Sequence, residues 1–211
     1  MKQKLGQALF DAFEGHLIGC EYNNRQLIRF SLEPIGDTFQ GAAYPFTLEV
    51  DDKQPGLQGP VCCAVSPVGD LYIGNMRDSG WGAGKNTGSV VRMRKTGPLA
   101  SGIAEVRATP VGFSITFTQP VDVSQANQTS NYSIEAYRRI STPAYGGNDV
   151  DRHPIKISRA QCAADGTRVD LELQNIQADF VYEIRLKDLT PNRVGLFPAE
   201  AYYTLHRKPS L

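Results

Sequence analysis

Short runs of alternating apolar and polar residues, separated by Gly, Pro, Asn and Asp, make up almost all of the sequence after Phe13. Successive side chains on a strand point to opposite faces, so such runs suit half-buried β-strands. A helix would need apolar residues three and four apart. Only Lys4 to Phe13 has that spacing, through Leu5, Leu9, Ala12 and Phe13, and Gly6 interrupts it. The expectation is an all-β chain with at most one short helix at its start.

The alternation is cleanest in the second half. Phe113, Ile115 and Phe117 oppose Ser114 and Thr116, and Tyr132, Ile134 and Ala136 oppose Ser133 and Glu135. Ile155 to Cys162, Val169 to Leu173, Val181 to Leu186 and Ala201 to Leu205 continue the pattern. About seven strands in roughly 110 residues matches an immunoglobulin- or fibronectin-like β-sandwich. One long polar loop is expected, from Arg138 to Pro154.

The first half carries an imperfect repeat. Gly15-His16-Leu17-Ile18-Gly19, a polar turn and Leu27-Ile28-Arg29-Phe30 are echoed by Gly69-Asp70-Leu71-Tyr72-Ile73-Gly74, a longer turn and Val90-Val91-Arg92-Met93. The copies start about 54 residues apart, within the range of β-propeller blades. Phe39 to Phe46 and Val61 to Ser66 read as further strands, and Ser66-Pro67-Val68-Gly69 as a turn. The breaker run Lys95-Thr96-Gly97-Pro98 then divides residues 1–97, about two blades of a partial propeller, from residues 98–211, the sandwich.

Charge excludes one partner class. With 22 Lys+Arg against 22 Asp+Glu the chain has no global basic field, so nucleic acid is not an expected partner. No apolar run approaches the roughly 20 residues of a membrane-spanning helix. The N-terminal stretch has no signal-peptide pattern. Cys20, Cys62, Cys63 and Cys162 lack zinc-knuckle or thioredoxin spacing and read as small buried hydrophobes. Cys62 and Cys63 must point to opposite faces of a strand, and a Cys20–Cys62 disulfide requires their strands to be neighbours.

Phe39-Gln40-Gly41-Ala42, Tyr44-Pro45-Phe46, Leu71-Tyr72-Ile73-Gly74 and Gly80-Trp81-Gly82 together resemble the last blades of six-bladed propellers in the glucose/sorbosone dehydrogenase-like family. In the large extracytoplasmic members a sandwich module follows. Its marks here are Phe117-Thr118-Gln119-Pro120-Val121-Asp122, Asn131-Tyr132-Ser133, Ala144-Tyr145-Gly146 and Ala201-Tyr202-Tyr203-Thr204-Leu205. The resemblance implies an extracytoplasmic location and a C-terminal portion of a longer propeller protein. The partners it implies are the remaining blades, from that protein or another chain, and carbohydrate.

The parent family can hold pyrroloquinoline quinone with calcium and oxidise sugars or polyols. Where its soluble quinoprotein members carry an anchoring lysine and two arginines, this chain has Asn24, Gly59 and Val61, all uncharged. A tricarboxylate needs cationic partners, so no cofactor and no catalytic residue are expected in this chain alone. The expected role is a non-catalytic accessory or interaction segment. A part of a quinone-dependent sugar dehydrogenase and a carbohydrate-binding module are the alternatives.

Two loops hold the candidate ligand-binding residues. In Arg77 to Thr87, Trp81 could stack on a sugar ring while Lys85 and Asn86 supply polar contacts; the plainer reading is a hairpin extension. It lacks phosphate-loop spacing. In Tyr145 to His153, Tyr145 is a second stacking candidate, and Asn148, Asp149 and Asp151 are oxygen donors of the kind calcium takes, without an EF-hand pattern. The plainer reading there is a solvated loop with Asx turns. His16, His206, Glu21, Asp11 and Glu14 form no recognisable catalytic order, and Arg29 and Arg92 are expected to snorkel or to bridge strands.

Overall fold

A computed structural model describes residues 10, 12–48, 56–81, 86–143, 146–187, 189–190 and 195–210, with the side chain of Trp81 outside that set. The described residues form antiparallel β-sheets throughout. Among the described residues there is one α-helical turn, Val123–Ala126 (α1), of four residues. Most of the expected N-terminal helix lies outside the described residues, and Phe10, Ala12 and Phe13 lie in turns.

The chain divides into two compact units, Met1–Phe30 with Pro45–Pro98 and Ser31–Tyr44 with Leu99–Leu211. In the first, β1 (Leu17–Glu21) forms a hairpin with β2 (Gln26–Ile35), pairing Leu17 with Phe30 and Glu21 with Gln26. Then β4 (Pro60–Val65), β5 (Leu71–Arg77) and β6 (Thr87–Met93) make a three-stranded meander. Both copies of the sequence repeat are thus strand–turn–strand hairpins.

Their arginines behave differently. Arg29 is fully buried. Its Nη1 donates to His16 Nδ1 at 2.6 Å, and its guanidinium lies 4.2 Å from the Phe13 ring centroid. Snorkelling is excluded for this residue, because its head group, and not only its stem, is inside. Arg92, half-exposed on β6, sits 4.0 Å from Asp70. Arg94 makes the shorter contacts to that carboxylate, at 3.0 Å through Nε and 2.8 Å through Nη2. These hydrogen bonds hold the Asp70 carboxyl below the usual range.

The second unit has two sheets. One runs β11 (Ile157–Cys162), β12 (Arg168–Leu173), β8 (Gly112–Phe117), β7 (Ile103–Thr109). The other runs β3 (Thr38–Pro45), β14 (Glu200–Leu205), β13 (Phe180–Leu186), β9 (Tyr132–Arg139), β10 (Asp149–Pro154). Their inward residues meet in one core that includes Phe113, Ile115, Val169, Leu171, Ile134, Ile184, Ala201 and Tyr203. Phe113 packs across it against Tyr182 and Tyr203, with centroids 5.2 and 5.0 Å away. Each large apolar side chain so buried contributes on the order of 1.5–3 kcal/mol.

Two strands of this unit depart from the sequence reading. Asp149–Pro154 is not loop: it pairs with β9 through Val150 opposite Arg138 and Pro154 opposite Glu135, with a register shift between Val150 and His153. Its polar composition hid it, because it is an edge strand exposed along most of its length. The other is β7, where Ile103, Ala104 and Val106 are all buried, so alternation is broken at its start.

Buried hydroxyls pin the second unit. Tyr44 Oη meets Ser31 Oγ at 2.7 Å and accepts from the Val106 N–H at 2.8 Å. Tyr132 Oη donates to the Ala126 carbonyl at 2.6 Å, closing α1, whose N-terminus is capped by Asp122 Oδ1 accepting from the Ser124 and Gln125 N–H groups. At the start of β13, Tyr182 Oη donates to the Gln177 carbonyl and accepts from its N–H. Gly41 carries no side chain for steric cause: a Cβ there would lie 2.0 Å from the Ser31 carbonyl oxygen.

Candidate functional site

The β5–β6 hairpin presents the first candidate loop. Arg77 pairs with Thr87 at its base. Asp78 Oδ1 accepts from the Gly80 N–H at 2.6 Å, and the Asp78 N–H donates to Tyr22 Oη at 3.1 Å. Ser79 to Trp81 form one 3-10 turn. Asn86 is next to it, its Oδ1 accepting from the Ser79 N–H at 2.8 Å. The amide oxygen of Asn86 thus ties the loop together. Lys85 and the Trp81 side chain lie outside the described residues.

The second candidate region is a charged sheet face. Tyr145 lies outside the described residues, and Asn148 uses its backbone carbonyl to receive the Ile140 N–H at 3.3 Å. Asp149 accepts from Arg139 Nη2 at 2.8 Å and Arg152 Nη2 at 3.0 Å, while Asp151 takes a close contact from Arg138 Nη2. Hydrogen bonds from Arg139, with Arg152 behind them, hold the Asp149 carboxyl below its ordinary value. A cation entering here would have to displace guanidinium groups already bonded to both carboxylates. Among the described residues no group of three or more His, Cys, Asp or Glu side chains is arranged to hold a metal.

Sequence reasoning missed the centre of that face. Arg152 reaches Glu135 at 2.6 Å and Glu183 at 2.8 Å through Nη1, and its guanidinium lies 4.3 Å from the Tyr137 ring centroid. Arg185 bonds Glu183 and Glu200, each at 2.6 Å. Burial works to raise the Glu183 carboxyl, but hydrogen bonds from Arg152 and Arg185 outweigh it and the net shift is downward. The network joins β10, β9, β13 and β14. Its only sequence trace was the alternation of Glu135, Glu183 and Arg185 with apolar neighbours. Nothing in the sequence places Arg152 beside them, because the polar run of β10 has the composition of a loop.

One acid–hydroxyl pair joins a half-buried carboxylate to a buried phenol. Glu33 Oε1 accepts from Tyr203 Oη, from Gln40 Nε2 at 3.2 Å and from the Ala108 N–H at 3.2 Å. Tyr203 is fully buried, and burial followed by the Glu33 carboxylate pushes its phenol well above the ordinary range. A phenol that holds its proton inside a core is a hydrogen-bond donor rather than an acid–base catalyst. His206 is exposed on the chain after β14, and its N–H, like that of Arg207, donates to Gln40 Oε1.

The described residues therefore present two solvent-facing polar assemblies, the Asp78–Asn86 hairpin and the Arg152-centred face, each tied by internal bonds. Compared with known protein families, with curated proteins and with solved structures, the chain finds no match in any of the three.

Proposed function

We propose that the chain is a non-catalytic accessory or interaction segment of a sugar-dehydrogenase-like, extracytoplasmic β-propeller protein, with an immunoglobulin- or fibronectin-like sandwich following blade-type strands. Strand order supports the sandwich. The sheets β7-β8-β12-β11 and β14-β13-β9-β10 follow the A-B-E-D and G-F-C-C′ pattern of that class. The Tyr182 hydroxyl bonded to Gln177 is in keeping with a tyrosine corner. A three-stranded meander such as β4-β5-β6 supplies three of the four strands of a blade.

The observation that carries the interaction role is on that meander. Gly74 pairs with Val90, so Val90 lies on the same face as Tyr72 and Met76, and these are 73%, 39% and 44% exposed. An apolar sheet face in water is costly and suits burial by a further layer. Its proposed occupant is another blade of the parent propeller. Covering this face, rather than catalysis, is the segment's task.

The test is association. The chain is mixed with blades encoded with it, or examined alone by light scattering, beside a Val90→Lys, Met76→Lys variant. Specific association lost in the variant supports the reading. A monomer indifferent to such blades removes it. Dye reduction by the purified chain with pyrroloquinoline quinone, calcium and sugar would instead favour the dehydrogenase reading, and glycan binding abolished by Trp81→Ala the carbohydrate-binding one.

A further inference from the structure

Three of the four cysteines gather in the first unit, and their arrangement does not depend on the propeller reading. Cys20 is on β1 and Cys63 on β4, and these two edge strands are neighbours. Cys63 Sγ lies 3.9 Å from the carbonyl oxygen of Ile18, two residues before Cys20 on β1, and Cys63 is among the groups that raise the Cys20 thiol. Cys62 faces the other way. It pairs with Gly74, and a Cβ on Gly74 would come within 2.6 Å of Cys62 Sγ, so that sulfur rests on the outer face of the meander. All three are free thiols; Cys62 is exposed, Cys20 and Cys63 half-buried. The Cys20–Cys62 pairing considered from sequence is thereby corrected, because strand alternation turns Cys63 toward β1 and Cys62 away.

We propose that Cys20 and Cys63 are a redox pair that closes a disulfide between β1 and β4 when the chain meets a small-molecule disulfide, with Cys62 left out of the bond. One thiolate of the pair attacks one sulfur of the oxidant, the oxidant's S–S bond breaks and one thiol leaves. The other cysteine's thiolate then attacks the protein sulfur of the mixed disulfide and expels the second thiol. Two cysteine thiols become one disulfide; two electrons and two protons end on the two released thiols.

The pH dependence follows from the environment. Burial, then the neighbouring Cys63, pushes the Cys20 thiol up to about 12, so little of it is thiolate at neutral pH. Closure should accelerate as pH rises, by up to about tenfold per unit. The product ties together strands far apart in sequence and opposes opening of the first unit.

The experiment uses the full, reduced chain in glutathione redox buffers. Free thiols are then alkylated, and non-reduced peptides are mapped with fragmentation that separates Cys62 from Cys63. The expected result is a mass loss of about 2 Da and a Cys20–Cys63 link. The link persists in Cys62→Ser and disappears in Cys20→Ser and Cys63→Ser. Circular dichroism checks that each variant is folded, and the wild-type map stands without them. A link through Cys62, or glutathione adducts, chain dimers or free thiols without an internal bond at excess oxidised glutathione, would overturn the proposal.

Discussion

Replacing Tyr44 by Phe should destabilise the second unit by about 2–4 kcal/mol, although it removes one oxygen and preserves the ring. Tyr44 is fully buried, and its hydroxyl joins Ser31 Oγ to the Val106 N–H. Each buried hydrogen bond has a net worth of about 1 kcal/mol, and leaving a buried donor without its acceptor costs about 1–3 kcal/mol. The phenylalanine ring keeps the apolar contacts, so the transfer contribution hardly changes. Urea unfolding followed by far-ultraviolet circular dichroism measures this. With a slope of about 1–3 kcal/mol/M, the midpoint should fall by roughly 1 M or more. Tyr132→Phe is the internal comparison. It also deletes a buried hydroxyl, but one that makes a single bond, to the Ala126 carbonyl, and leaving that acceptor unpaired should cost about 1–3 kcal/mol, below the Tyr44 value by about one hydrogen bond. If Tyr44→Phe shifts the midpoint no more than Tyr132→Phe, the bridging hydroxyl does not hold residues 31–44 in the second unit and the reasoning fails.

Gly41→Ala should be among the most damaging small substitutions, costing about 3 kcal/mol or more, because its Cβ would meet the Ser31 carbonyl oxygen; soluble yield and urea midpoint report it. Asp70 contributes in one pH direction. Its folded carboxyl is held low by Arg94, so its stabilisation is present above the unfolded carboxylate value and is lost as pH falls through the lower folded one. Melting midpoints measured from pH 7 down to about 3 should therefore fall less steeply in Asp70→Asn than in the unaltered chain. Glu183→Gln should lower the melting midpoint more than Glu172→Gln, since Glu183 serves both Arg152 and Arg185 while Glu172 faces Arg159 alone at 3.3 Å. Added salt should narrow that gap, and equal losses at low salt would mean the network adds nothing over an isolated pair.

Much of the candidate site was hidden for a definable reason. Asp149 and Asp151 stood out as oxygen donors, but the arginines that bond them come from β9 and from Arg152 on β10, and pairing between strands is what joins them. Arg152 became visible as a hub only once β10 was known to pair with β9. The cysteines followed the same rule. Alternation required Cys62 and Cys63 to face opposite ways, yet which of them met Cys20 depended on how β4 stands beside β1.

The strands themselves were largely legible because a two-residue period is a local property: Phe113, Ile115 and Phe117 need no distant information to define an inward face. All-β class and the hairpin nature of both repeat copies rest on such local patterns and on turn chemistry. Residues 31–44 show where that stops. Their sequence neighbours lie in the first unit, yet Tyr202, Tyr203 and Thr204 pair with Ala43, Ala42 and Gly41, and Glu33 bonds Tyr203. Only tertiary structure decided this, because an edge strand's open N–H and C=O groups accept any segment of suitable shape. The choice among segments is made by burial, as of Tyr44 and Gln40, across more than a hundred residues of chain.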